Sequence, residues 1–304
     1  SAASDVYKRQ ILEMAQAAGL PLVPQDKRNP MKTTTYGVGE MLRDAINRGC
    51  KRFVLGIGGS ATNDGGAGML QALGFDLLDK DGNPVPFGAE GLRVLAKIEN
   101  KNALPALKNC VIRAACDVTN PLYGPTGAAY VFAPQKGADA EKVKSLDAGL
   151  RHFGDVIRSQ YGLDVSAMPG AGAAGGMGAG CVALLGGTIQ SGIDAVLDVT
   201  GFDRQLEGAD LVITGEGRID SQSADGKVVS GVARRTRAKG VPLIAIAGGI
   251  ADSAGAVYDI GVSAMFSTDR AALPVDMLGA RSPGDYEATL SDIMSLIAIA
   301  ERFA

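Results

Sequence analysis

Residues 51–74 read KRFVLGIGGSATNDGGAGMLQALG, and the order of their parts decides the fold. Phe53, Val54, Leu55 and Ile57 form a short apolar run of strand type, a glycine-rich loop follows at once, and AGMLQALG carries helical apolar spacing. Strand, loop and helix in that order is the building unit of an α/β domain that keeps its ligand loops at strand carboxyl ends. Upstream, TTTYGVGEMLRDAINRG predicts a helix over 37–48 stopped by Gly49, and ILEMAQAAGL (11–20) reads as a shorter helix ended by Gly19 and Pro21.

Downstream, the pattern changes. From Phe75 to about Ala133, short apolar runs such as FDLLDKDGNPV, VIRAACDV and AAYVFAP alternate with turn signals and predict a mixed sheet. Val143, Leu146, Leu150, Phe153 and Ile157 share one face of a helix over 142–161. CVALLGG (181–187) is expected to be helical. The last third alternates regularly. ADLVITGEG is a buried strand running into a loop, GKVVSGVARRTRAKG a helix with a basic last turn, VPLIAIAGGI and VSAMFST strands, and 286–303 a closing helix. Parallel strands joined by crossover helices are the economical arrangement. The expected organisation is an extraneous segment at 1–10, one flavodoxin-like or Rossmann-like lobe from 11–74 and 205–304 with a mainly parallel sheet, and a second α/β lobe with a mixed sheet from 75–204.

Composition limits the function classes. The 304 residues hold 30 Lys and Arg against 33 Asp and Glu, a net charge of −3 with no basic block, so a nucleic-acid surface is unsupported. Four scattered cysteines, Cys50, Cys110, Cys116 and Cys181, form no CxxC pair, which disfavours a zinc site and predicts free thiols in a cytoplasmic setting. Residues 165–193 carry no charge, yet nine glycines and Pro169 interrupt them, so the stretch reads as loop plus buried helix and no membrane is expected. Glycine itself is in excess, 42 of 304, without the three-residue period of collagen.

Three glycine loops concentrate the chemistry. Gly56, Gly58 and Ala61 spell GxGxxA, with Asp76 at the distance of a ribose-binding acid, which keeps a dinucleotide fingerprint and an NAD-dependent dehydrogenase open. Ser60, Thr62, Asn63 and Asp64 make this loop more polar than that fingerprint and point to a bound polar ligand, with a capped turn as the alternative. The second loop, GAGAAGGMGAG (170–180), can present backbone N–H groups of Gly172, Gly175 and Gly176 as an anion nest, or can be a connector. The third, TGEGRIDSQSADGK (214–227), gathers Glu216, Arg218, Asp220, Asp225 and Lys227 after a strand but lacks the P-loop glycine spacing. Asp117 closes the strand VIRAAC and suits a metal, a hydroxyl or a turn cap, and Asp194 reads as a cap or a ligand. His152, the single histidine, reads as a packing residue on its helix.

Backbone donors for phosphate, carboxylates for Mg²⁺ or a hydroxyl, and basic side chains are the parts of a phosphoryl-transfer site. Four blocks, GIGGSATNDGGAGMLQALG (56–74), DVTNPLYGPTGAAYVFAPQKGA (117–138), SGIDAVLDVTGFD (191–203) and DLVITGEGRIDSQSADGK (210–227), resemble the bacterial glycerate kinases of type I from about Ile11 onward. The resemblance implies two α/β lobes with the active site between them, and phosphoryl transfer from ATP with Mg²⁺ to D-glycerate, giving 2-phosphoglycerate. A homodimer is left open, and an inactive sugar-acid or nucleotide binder is the remaining alternative. The family's Asp-Ser-Phe-Lys and Asp-Gly-Gly-Glu-Gly motifs do not occur, so the chain is expected to lack the start of one lobe. On this reading Asp64, Asp117 and Lys227 are the catalytic candidates. Gly58, Gly59, Ser60, Thr62, Asn63, Gly172, Gly175, Gly176, Glu216, Arg218 and Asp220 bind substrate or phosphate, and Asp117 and Asp194 hold the metal.

Overall fold

The computed structural model describes residues 9–224, 228–274, 277, 279, 281–300 and 302. The chain divides into two compact units, residues 1–192 and 193–304. The α/β class holds in both. In the first unit, strands β1 (Arg9–Glu13), β2 (Arg52–Gly56), β5 (Val111–Ala115) and β6 (Thr188–Gln190) form a parallel sheet in the order β1-β2-β5-β6. Strands β3 (Asp76–Leu78) and β4 (Lys97–Glu99) make a separate antiparallel pair. In the second unit β7 (Val212–Ile219), β8 (Leu243–Ile250) and β9 (Ala264–Ser267) are parallel neighbours.

The grouping expected from the sequence differs from these sheets. Strand β2 from 11–74 is hydrogen bonded to β5, which in turn pairs with β6, whereas the strands within 205–304 form a sheet of their own. Which strands pair is decided by long-range packing, and periodicity within one strand carries no record of its neighbour. Of the segment read as extraneous, residues 1–8 lie outside the described residues, while Arg9 and Gln10 pair with Arg52 and Phe53.

Helices of the first unit follow from their apolar faces. Helix α1 (Tyr36–Asn47) buries Val38, Leu42, Ala45 and Ile46. Helix α2 (Ala67–Ala72) follows the first glycine loop, and α3 (Ala128–Phe132) is a short one. Helix α4 (Ala140–Tyr161) buries Val143, Leu146, Leu150, Phe153 and Ile157, is capped by the Asp139 carboxylate at Lys142 N, and ends at Gly162 in the left-handed region. Helix α5 (Ala173–Leu185) lies in the core, with every residue from Ala173 to Cys181 buried.

In the second unit the run Leu243–Ala247 is buried on both faces, as a central parallel strand requires. Leu243, Ala245 and Ala247 pack with Val229, Val232 and Ala233 of α7 (Val228–Lys239), and α6 (Gly192–Thr200) adds Leu197 to that layer. Ile244 and Ile246 pack on the opposite face with Ile293 of α8 (Ser282–Ala300).

Three local expectations change. Residues 9–13 are a strand, because five in-register pairs to β2 outweigh a helical pattern too short to stand alone. AAYVFAP holds helix α3, since its apolar run is buried through Ala128 and Ala129 on one face while Tyr130 and Val131 are exposed. The third glycine loop starts later than expected, because TGEGRI continues β7, with Glu216 beside Ala247 and Arg218 beside Gly249. Among the described residues no helix is long and apolar enough to cross a membrane, and none of the four cysteines is in a disulfide.

Candidate active site

A cavity of about 330 Å³ opens at the carboxyl ends of the adjacent strands β2 and β5. Its walls are the turn from Ile57 to Ser60, the turn from Cys116 to Val118, and Phe132, Gln135 and Lys136. The glycine turn is held from outside: Leu20 N donates to Gly59 O at 2.8 Å, Ala61 N to Ala18 O at 2.8 Å, and Ile57 N to Ala115 O at 3.2 Å. A Cβ at Gly58 would meet nothing within 4 Å, so this wall is bare backbone with room for a ligand beside it. Carboxyl ends of parallel strands are where open α/β sheets bind ligands.

Lys136 is the cation of this cavity, and it is 2% exposed. Its Nζ donates to Ser60 Oγ and to Thr62 O, both at 2.7 Å. Burial pulls its pKa down to about 7, opposed by the negative charge of Asp64. The residue was not among the candidates from the sequence. A signal was present, since Lys136 is the lone charged residue between Asp117 and Asp139. A single lysine in an apolar and glycine-rich stretch is either a solvated tip or a buried cation with a purpose, and the hydrogen-bond partners that distinguish them are distant in sequence.

Asp117 faces the same cavity from the end of β5 and is exposed. Its Oδ1 accepts from Gly192 N at 2.7 Å, which holds the carboxylate in place. Asp117 thus caps the start of the helix that begins at Gly192 and not the turn that follows β5, and its carboxylate borders the cavity.

The remaining polar residues of the first loop turn inward. Asp64 is fully buried and accepts from Thr35 N at 2.8 Å, Thr35 Oγ1 at 3.0 Å, Gly66 N at 3.2 Å and Gly68 N at 3.3 Å. Burial raises its pKa against the lowering effect of these donors. A carboxylate so engaged is a strut joining the glycine loop to the start of α1, and it does not line the cavity. Thr62 and Asn63 are also fully buried, and Thr62 Oγ1 and both amide atoms of Asn63 have no partner. The second glycine tract packs directly on them. A Cβ at Gly175, whose φ is +67°, would collide with Thr62 O, and one at Gly172 with Pro121 O. Gly176 fits against Leu150 and Gly65 in the same way. These three glycines permit close backbone approach in the core. Their neighbours Ala173 and Ala174 reach the cavity wall, and Ala174 is the one described non-glycine residue with a positive φ, +54°.

In the second unit, Arg218 lines another cavity of about 360 Å³ at the ends of β7 and β8, together with Gly248, Gly249, Thr268 and Asp269. Glu216 has one buried carboxylate oxygen, Oε2, without a partner. Asp220 caps the turn after β7, accepting from Gln222 N at 2.9 Å. Asp194 is engaged by guanidinium groups, Arg234 Nη2 at 3.0 Å and Arg235 Nη2 at 3.3 Å, in a cluster that includes Asp198 and Asp203. Lys227 lies outside the described residues.

The acid required by a dinucleotide fingerprint, Asp76, sits on the antiparallel pair and accepts from Asn102 Nδ2 at 2.7 Å. The strand after the loop thus does not return parallel to β2, and a Rossmann βαβ unit is absent at that point among the described residues. His152 bonds Leu95 O through Nε2 at 2.6 Å, in keeping with a packing role.

The sequence profile of the glycerate kinase family matches residues 2–298. The glycerate kinase of Halalkalibacterium halodurans is 48% identical over 260 residues, spanning 86% of this chain and 68% of that protein. The glycerate 2-kinase of Escherichia coli K12 is 49% identical over 260 residues with the same coverage. Among solved structures, a Salmonella typhimurium LT2 protein described as a glycerate kinase 2 superposes with a TM-score of 0.83 at 41% identity, covering 97% of this chain and 77% of that one.

Proposed function

The chain belongs to the glycerate kinase family, and on that premise we propose that it transfers a phosphoryl group from ATP to a hydroxyl of D-glycerate, giving 2-phosphoglycerate and ADP. The observation that carries this reading in the structure is the cavity at the ends of β2 and β5, where bare glycine backbone and the Asp117 carboxylate face one space. Phosphoryl transfer asks the protein for positioning and charge stabilisation more than for covalent chemistry, and those are what this cavity offers.

Gly58 allows phosphate oxygens to approach the main chain closely, with no side chain in the way, and Gly59 beside it holds the turn at a positive φ of +69°. Ser60 presents a hydroxyl fixed by Lys136. Mg²⁺ commonly takes one or two protein carboxylates and completes its shell with phosphates and water, so a cavity lined by the Asp117 carboxylate fits the ion. Asp117 would hold it, and the ion would neutralise charge on the transferring group. Asp64 takes no proton in this scheme, because both of its oxygens are committed to donors of the glycine loop and α1. A cytoplasmic setting accords with four cysteines outside any disulfide.

The test incubates the protein with D-glycerate, ATP and Mg²⁺, follows ADP, and assigns the product by phosphorus NMR, with NAD and glycerate as a parallel arm. Glycerate-dependent ADP release and a signal at the 2-position are expected. NAD reduction without ADP would transfer the assignment to a dehydrogenase, and ligand binding with neither would leave a binding protein.

A further inference from the structure

Lys136 has more charge than its protein partners satisfy. Two of its three N–H groups are taken by neutral oxygens, Ser60 Oγ and Thr62 O. Among the described residues no carboxylate lies within ion-pair distance, although the field of Asp64 reaches it. A buried ammonium without a paired anion is costly in a folded chain. The side chain nevertheless borders the cavity at the ends of β2 and β5. A lysine serving only to brace Ser60 and Thr62 would do so as well with a neutral donor.

We propose that Lys136 is the oxyanion-recognition residue of this cavity: held by Ser60 and Thr62, its ammonium pairs with a carboxylate or phosphoryl oxygen of a bound substrate. The inference rests on the kinase reading for the identity of the substrates, D-glycerate and ATP, and on the cavity geometry for the site. The counter-ion missing from the protein is supplied by the ligand. Asp64 acts on the lysine from the glycine loop, and the other ionisable groups that line the same cavity are Cys116 and Asp117 from the end of β5. Burial also brings its proton equilibrium near neutrality, so an incoming anion draws a proton onto Nζ.

The experiment compares the full chain with Lys136→Met and Lys136→Gln, with melting curves to establish that each variant is folded. In turnover assays the KM of one substrate should rise about 10- to 100-fold, the loss of one charge-assisted hydrogen bond. A rise confined to D-glycerate assigns the lysine to the carboxylate, and a rise confined to ATP assigns it to the phosphoryl group. Calorimetric titration with D-glycerate, and separately with inorganic phosphate, near about pH 8 in buffers of different ionisation enthalpy reads the proton. Wild type should take up a proton on binding, and both variants should not. KM values within about threefold of wild type, together with unchanged proton uptake, would overturn the assignment. Proton uptake that depends on Lys136 in a protein that fails to phosphorylate glycerate would sink the kinase reading and leave the oxyanion site standing.

Discussion

The buried lysine makes stability depend on pH in a way that one substitution removes. In the unfolded chain Lys136 titrates at its ordinary value of 10.5, and in the folded chain at about 7. Between those values the unfolded state binds more protons, so wild-type stability should rise with pH through the window. Below about pH 7 both states are charged, and the full penalty, about 5 kcal/mol for an essentially buried group, is present. Between about pH 7 and about pH 9 the wild type should recover about 2 kcal/mol of it. Lys136→Met has no such proton. Its own loss is the two hydrogen bonds to Ser60 and Thr62, about 1–3 kcal/mol with the acceptors left unpartnered. The variant should therefore be the more stable protein near about pH 7, with its advantage shrinking as pH rises. Urea unfolding of both proteins at the two pH values measures the double difference. Cys181 opposes the trend, because burial pushes its thiol up to about 12, but that effect is common to both proteins and cancels. Equal pH dependence in wild type and variant would refute the reasoning, since it would mean that the ammonium is solvated or paired in the folded state.

Asp64→Ala should act on stability, leaving three buried backbone N–H groups and a threonine hydroxyl without an acceptor, a loss of about 3–5 kcal/mol visible as a lowered melting temperature. A folded variant of unchanged stability would mean that Asp64 does not brace the loop. Asp117→Asn retains an acceptor for Gly192 N and should melt close to wild type, while glycerate-dependent ADP release falls by about 10²-fold or more. Gly175→Ala combines a positive φ with a collision against Thr62 O and should cost about 3 kcal/mol or more, read as loss of soluble protein or a shifted urea midpoint.

Local patterns in the sequence determined the α/β class, the helices α1, α4 and α7, and the family through four blocks of residues. Those are legible because a helix face, a strand run and a glycine stop are written within a few consecutive residues. The strand-then-loop order also singles out Gly58, Gly59 and Asp117, and all three line the cavity at the ends of β2 and β5. What it left undetermined was the direction in which polar side chains point and which segments meet. Asp64 looked like a catalytic acid because it is a carboxylate in a glycine loop, and only the position of Thr35, 29 residues earlier, turns it into a strut. Gly175 looked like part of an anion nest until Thr62 was packed against it. Lys136 was invisible as a site residue because its partners stand 76 and 74 residues away, brought to it by the packing around β2 and α3. Burial of a charge is a property of the assembled core and not of its neighbours in the chain, so the lysine that gives the cavity its positive charge was decided by tertiary structure alone.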